Sequence, residues 1–140
     1  MRGPSASTYL SSVPLFAGCS KKELAAIARA TDQIDVSDGA TLTRQDESSR
    51  EAFVIMSGKA VVRRNGRKVG ELGPGDAVGE LGLFDRGPRT ATVVAEGPVR
   101  ALVIGPREFS ALLSEVPSIS RKLMETMSST IRTLDSKAYG

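Results

Sequence analysis

Apolar residues recur every three or four positions near both ends of the chain and every second position through its middle, which predicts helices flanking a body of short strands. Tyr9, Leu10, Val13, Leu15 and Phe16 form a short apolar lead-in, helical or irregular. Ser20 followed by Glu23 has the spacing of a capping box, and Leu24, Ala25, Ile27 and Ala28 continue at helical spacing, so a helix is predicted over about 21–30. From Thr31 the period changes to two. Strands are predicted over 31–36, 41–44, 52–56, 60–64, 68–72, 89–95 and 99–104, punctuated by Asp38-Gly39, Asp46 to Ser49, Ser57-Gly58 and Gly73-Pro74-Gly75-Asp76. Asn65-Gly66 marks a hairpin, because a tight type I′ turn needs positive φ at both central residues. The glycines at 39, 58, 66, 73 and 75 read as scaffold turns. Pro106 opens a short helix carrying Phe109, Leu112 and Leu113. Pro117 opens a longer one, whose Ile119, Leu123, Met127, Ile131 and Leu134 make one apolar face to about Asp135, with Met124 beside them. The expected fold class is α+β: an antiparallel, jelly-roll-like β-roll of about eight strands with an N-terminal helix and two C-terminal helices.

The 140 residues suit one domain with a sizeable core, with 1–30 as lead-in and helix, 31–105 as the roll and 106–135 as C-terminal helices. With 40% apolar and 25% charged residues the chain is ordinary for a soluble globular protein. Cys19 is the single cysteine, so no intrachain disulfide forms, and a cytoplasmic location is expected, since no apolar run would span a bilayer or form a signal peptide. Histidine is absent, which removes the commonest general base and transition-metal ligand. No catalytic residue, no metal site and no cofactor are therefore expected. The net charge is +3, and its clearest basic cluster, Arg63-Arg64 and Arg67-Lys68, sits at a predicted hairpin tip. Such tips are ordinarily solvated, so neither nucleic acid nor membrane is an expected partner.

The chemistry concentrates in the run from Gly79 to Val93, GELGLFDRGPRTATV. An ionised carboxylate at Glu80 only accepts hydrogen bonds and so suits sugar hydroxyls, whereas the planar guanidinium of Arg89 offers parallel donors to an anionic phosphate. Gly79 and Gly82 let backbone approach a ligand closely, and a helical turn starting near Glu80 would aim free N–H groups at an anion. A bland alternative is a surface ion pair in a Gly-rich loop.

The order within this run, with glycine before the acid, leucines on either side of Gly82 and Pro88 immediately before Arg89, resembles the phosphate-binding cassette of cyclic nucleotide-binding domains, which places the cassette at 79–93. Val13-Pro14-Leu15-Phe16 is similar to the segment that opens many of these domains. The resemblance extends from about Val13 to Leu134 and implies a regulatory module, not an enzyme, whose small-molecule ligand is cAMP, with cGMP as the alternative. It implies that Glu80 takes the ribose 2′-hydroxyl, that Gly79 contributes backbone, that Arg89 pairs with the exocyclic phosphate oxygens, and that backbone N–H groups at Gly82 and Ala91 complete the cradle. Leu81 and Leu83 would pack the short turn against the roll, Leu81 also facing the ligand. Thr90 bears a hydroxyl at a position where several relatives that accept cGMP carry one, and which is alanine in many that prefer cAMP. The last helix would supply a lid over the base, with Thr130 and Leu134 at the lid positions, and its apolar face would suit a homodimer. Gln45-Asp46 departs from the Gly-Glu that the family often has before the loop leading to the third strand. The effector domain or partner protein is not identified by the sequence, and the chain reads equally as a single-domain protein or as part of a longer one. Two alternatives are a nucleotide-blind β-roll serving as an interaction platform and a cupin-like enzyme, which would ordinarily need metal-binding histidines.

Overall fold

A computed structural model describes residues 5–48, 50–85 and 87–139; Ser49 of the predicted turn and Arg86 of the Gly-rich run lie outside the described residues. The lead-in forms helix α1 (Ala6–Ser11) and a 3-10 turn (Pro14–Phe16), followed by α2 (Lys21–Arg29). The capping box is complete at α2: the Ser20 side chain accepts from Glu23 N–H and the Glu23 carboxylate accepts from Ser20 N–H. Six strands follow among the described residues: β1 (Asp32–Val36), β2 (Thr41–Thr43), β3 (Ala52–Arg64), β4 (Arg67–Leu72), β5 (Ala77–Val78) and β6 (Thr92–Ile104). A 3-10 turn (Glu80–Leu83) lies between β5 and β6, and α3 (Pro106–Glu115) and α4 (Pro117–Tyr139) close the chain.

Two pairs of predicted strands are each a single long strand. The segments 52–56 and 60–64 join across Ser57-Gly58 as β3, and the predicted 89–95 and 99–104 join as β6. The punctuation there marks a bend, not a break. The β3–β6 register shifts on both sides of Ser57, where Gly58 takes φ 90°, and Gly97 of β6 takes φ 78° opposite it. A Cβ at Gly58 would collide with the Pro98 carbonyl, so glycine lets the two strands turn the corner together. Beyond the bend, β2 adds to β6 and β4 to β3; before it, β1 adds to β6 and β5 to β3. This shared bend in antiparallel strands wraps one sheet into the expected roll. β5 falls between the predicted turn at 73–76 and Gly79, where no strand was predicted. Arg89 was expected to open a strand, but β6 begins at Thr92, because the backbone of Arg89 pairs instead with the loop at Asp46 and Glu47.

β3 and β6 are apolar on both faces, and alternate residues serve two cores. Phe53, Ile55, Ala60, Val93, Val99 and Ala101 pack together in one. Val54, Leu102 and Ile104 pack with Leu10, Phe16, Ile27, Phe109, Ile119 and Leu123 of the helical layer in the other. The face of α4 is not covered throughout: Ile119 and Leu123 are fully buried, Met127 is half-buried, and Ile131 and Leu134 are 65% and 61% exposed. No helix among the described residues is long and apolar enough to cross a membrane.

Candidate functional site

The loop leaving β5 begins with Gly79 in the left-handed region (φ 72°, ψ 22°) and continues as the Glu80–Leu83 turn. Leu83 is buried against the helical layer, and the Phe84 ring meets Phe109 of α3 edge-on with centroids 5.4 Å apart. These two side chains fix the turn from below. Arg50 holds its end, its Nε donating to the carbonyls of Gly82 and Asp85, each at 3.2 Å. Asp85 Oδ1 accepts from Gly87 N–H at 2.9 Å, which tightens the approach to Pro88 and Arg89.

Arg89 lies across this loop and is only 7% exposed. Its Nη1 donates to the Gly79 carbonyl at 3.0 Å and its Nη2 to the Glu51 carbonyl. Its buried Nε finds no acceptor among the described residues. A Cβ at Gly79 would occupy the space of the guanidinium, so this glycine serves both the left-handed turn and the close approach of Arg89. Burial lowers the pKa of the guanidinium from its usual value, with Glu51 and Glu80 acting in the opposite direction. An arginine nevertheless keeps its charge, so Arg89 is a buried cation with an unused donor.

The backbone on either side of Arg89 is tied at several points. Arg89 N–H donates to the Glu47 carbonyl and Asp46 N–H donates to the Arg89 carbonyl, both at 2.8 Å. Asp46 takes φ 69°, a conformation that aspartate tolerates better than most residues. The Gln45-Asp46 departure therefore leaves the support of Arg89 in place. Arg64 Nε donates to the Thr90 carbonyl at 3.1 Å, and Thr43 Oγ1 donates to the Ala91 carbonyl at 3.2 Å. The Asn65-Gly66 hairpin tip is joined to the same loop by two 2.8 Å bonds between Gln45 and Asn65.

Gly79, Glu80, Leu81, Gly82, Arg89 and Thr90 line one cavity of about 290 Å³, near the lower end for small-molecule sites. Glu80 and Leu81 also line a neighbouring cavity of about 330 Å³, whose other walls are Pro14 and Leu15 of the first 3-10 turn and Thr126, Met127, Thr130 and Ile131 of α4. The first cavity presents a carboxylate, a guanidinium and backbone; the second is mostly apolar. Together they suit a ligand with an anionic, hydroxylated part and an apolar part. Of the predicted residues, Ala91 lies beside the first cavity without lining it, and the N–H of Gly82 donates to the Gly79 carbonyl at 3.0 Å. Leu81 is 62% exposed between the cavities, so Leu83 alone of the two leucines does the packing. Thr130 stands at the second cavity, whereas Leu134 lies a turn beyond it. Arg50, the Glu51 carbonyl and Arg64 also support the site, in roles that depend on folding and leave no local pattern in the sequence.

Comparison with known proteins gives this geometry a family. Residues 33–116 match the model of the cyclic nucleotide-binding domain. The chain is 32% identical over 127 residues to a cAMP-dependent protein kinase regulatory subunit of Mucor circinelloides f. lusitanicus, covering 88% of this chain and 30% of that protein. It is 28% identical over 123 residues to a CRP-like cAMP-activated global transcriptional regulator of Mycobacterium tuberculosis, covering 84% of this chain and 55% of the regulator. It thus spans about a third to a half of these relatives. Among solved structures, the N-terminal domain of a transcriptional regulator from Streptomyces coelicolor A3(2) superposes with a TM-score of 0.85 at 28% identity, covering 92% of this chain and 93% of that one. The fold, the cassette and these matches lead to one conclusion: the chain belongs to the cyclic nucleotide-binding domain family.

Proposed function

We propose that this chain is a single regulatory domain that binds cAMP, with cGMP as the alternative ligand, and that ligand binding shifts its C-terminal helices. The observation that carries the reading is the convergence of Glu80 and Arg89 on one cavity that shares Glu80 and Leu81 with an apolar cavity walled by α4. The ribose and cyclic phosphate would occupy the first and the base the second. Glu80 would accept from the ribose 2′-hydroxyl, and Arg89 would donate to the exocyclic oxygens of the phosphate through its unused Nε and its amino groups. Gly79 would contribute backbone, and the N–H groups of Gly82 and Ala91 would turn to the phosphate. Thr90, at the mouth, would add its hydroxyl. Base contacts with Met127, Thr130 and Ile131 in the bound state would favour one position of α4, which is how a binding module controls what is attached or docked.

Both relatives above are named for cAMP, and a regulatory domain of Toxoplasma gondii PKA solved with cAMP shares the fold at a TM-score of 0.69 and 27% identity over 89% of this chain and 49% of that one. They support cAMP as the first ligand to test. No catalysis, metal or cofactor is needed for this function, and the module would act in the cytoplasm. Its apolar α4 face would suit a homodimer. Calorimetric titration with cAMP and then cGMP is the direct test. A dissociation constant at or below the micromolar range, about −8 kcal/mol, is expected for cAMP. No heat with either nucleotide at millimolar concentration would sink the reading and favour the nucleotide-blind platform.

A further inference from the structure

Glu23 is a charged side chain only 6% exposed, and it serves two helices. On α2 it completes the capping box, accepting from Ser20 N–H through Oε1 at 2.7 Å. Toward α4 it accepts from Lys122 Nζ through Oε1 and from Ser118 Oγ through Oε2, each at 2.6 Å. A cap requires only Ser20 and Glu23. Ser118 and Lys122 add nothing to it, yet they satisfy most of a carboxylate that burial would otherwise make costly. They stand four residues apart on one face of α4, and Lys122, Thr126 and Thr130 continue that face at the same interval. The first turns of α4 are therefore fastened to α2 along the stripe whose next turns reach the apolar cavity. Beyond Met127 the helix is exposed through residue 138, so its position at the cavity is set by the turns before it.

We infer that Glu23 is a positioning residue for the ligand cavity: by holding Ser118 and Lys122 it sets where α4 places Met127, Thr130 and Ile131, and thereby how long a nucleotide stays bound. The inference rests on the ligand reading above. Glu23 itself lines neither cavity.

Glutamine is accepted at this capping position, so Glu23→Gln keeps the α2 cap while removing the charge that holds Lys122. Lys122→Met removes the other partner and keeps the aliphatic stem. Hydrogen exchange of the ligand-free proteins and displacement stopped-flow with cAMP would be measured for both, for the double variant, and for Val99→Ala, a destabilising control in the roll core. Both single variants should speed exchange across 117–139 without change in β3 or β6, and should release cAMP about tenfold faster, the loss expected for one charge-assisted hydrogen bond. The double variant should be no faster than either single one, since both remove the same link. Val99→Ala should lower Tm without altering release. Unchanged exchange in α4, parental release rates from a parent that binds cAMP, or equal acceleration by Val99→Ala would each overturn the inference. A parent that binds neither nucleotide would instead defeat the proposed function. The claim about nucleotide residence would fall with it, and the exchange arm would decide only whether Glu23 positions α4, unchanged exchange ending that role as well.

Discussion

The carbonyl of Gly79 accepts a 3.0 Å hydrogen bond from Arg89 Nη1, and the missing side chain of the same glycine leaves the room that the guanidinium fills. Ten residues apart in sequence, they form one unit: the glycine positions the cation, and the cation satisfies the glycine carbonyl. Gly79→Ala should therefore resemble an arginine substitution. A left-handed non-glycine residue costs about 1–2 kcal/mol, and the new methyl must also displace Arg89. A lower Tm together with cAMP affinity reduced as far as in Arg89→Ala is expected, measured by thermal melts and calorimetry; parental affinity would separate the two residues.

Arg89→Ala should weaken cyclic nucleotide binding thirty-fold or more, since losing one member of a desolvated charge pair costs about 2–5 kcal/mol. Because Arg89 also donates to the Gly79 and Glu51 carbonyls, the ligand-free melting temperature should fall by several degrees while the protein stays folded. Arg89→Lys should bind weakly as well, because a point-charge ammonium cannot reproduce the planar fork. Added cAMP should raise the Tm of the parent and leave Arg89→Ala nearly unmoved. A mutant that binds as tightly as the parent would place the phosphate elsewhere.

Deleting the residues after Ser128 removes Thr130 and Ile131 from the wall of the apolar cavity. Binding should weaken mainly through faster dissociation, as interface losses usually do. Leu134→Ala, a turn beyond the cavity, should leave the dissociation rate unchanged in stopped-flow displacement. An unaltered off-rate in the truncated protein would make this part of α4 purely structural or dimerising.

Leu123 and Ile131 sit on the same apolar stripe of α4 but are 1% and 65% exposed. Leu123→Ala should cost about 2–5 kcal/mol in urea unfolding, the range for a large-to-small change in a packed core. Ile131→Ala should fall within about 0.5 kcal/mol if the protein is monomeric. A loss for Ile131→Ala that grows with protein concentration would show a second copy covering the face, which sedimentation would verify.

The Glu23 carboxyl is held at about 2, against an ordinary 4.5, by the hydrogen bond from Lys122 first, then by those from Ser118 and Ser20, with burial opposing them. The ionisable groups facing it are Lys122 and Cys19, with Glu125 beside Lys122. A depressed carboxyl pKa means that the unfolded chain binds the proton more readily, so the stabilisation is fully present above about 4.5 and is lost as pH falls toward about 2. The Tm difference between the parent and Glu23→Gln should be largest near neutrality and shrink across that window. A difference that does not vary with pH would mean that the carboxylate charge contributes nothing.

What the sequence determined by itself was local or ordered along a short run. The capping box at Ser20 and Glu23, the Asn65-Gly66 hairpin and the helix starts at Pro106 and Pro117 each rest on neighbouring residues, whose φ angles and hydrogen bonds are decided within a few positions. The resemblance of the 79–93 run to the family's cassette has the same local basis, since glycine, acid, proline and arginine fall within one segment. Only the tertiary structure decided which breaks in period were bends. Ser57-Gly58 reads as a turn until Gly97 and Pro98 lie opposite it, at which point both strands pass through the corner with their partners still paired. It likewise decided that Arg50, Arg64 and the Glu51 carbonyl support the site, that α4 is covered at Leu123 and bare at Ile131, and that Glu23 meets Lys122 99 residues away. The physical reason is common to all of these. A side chain's own pattern sets which face of an element is apolar, but what covers that face, and which distant donor reaches a buried acceptor, depends on the path of the whole chain.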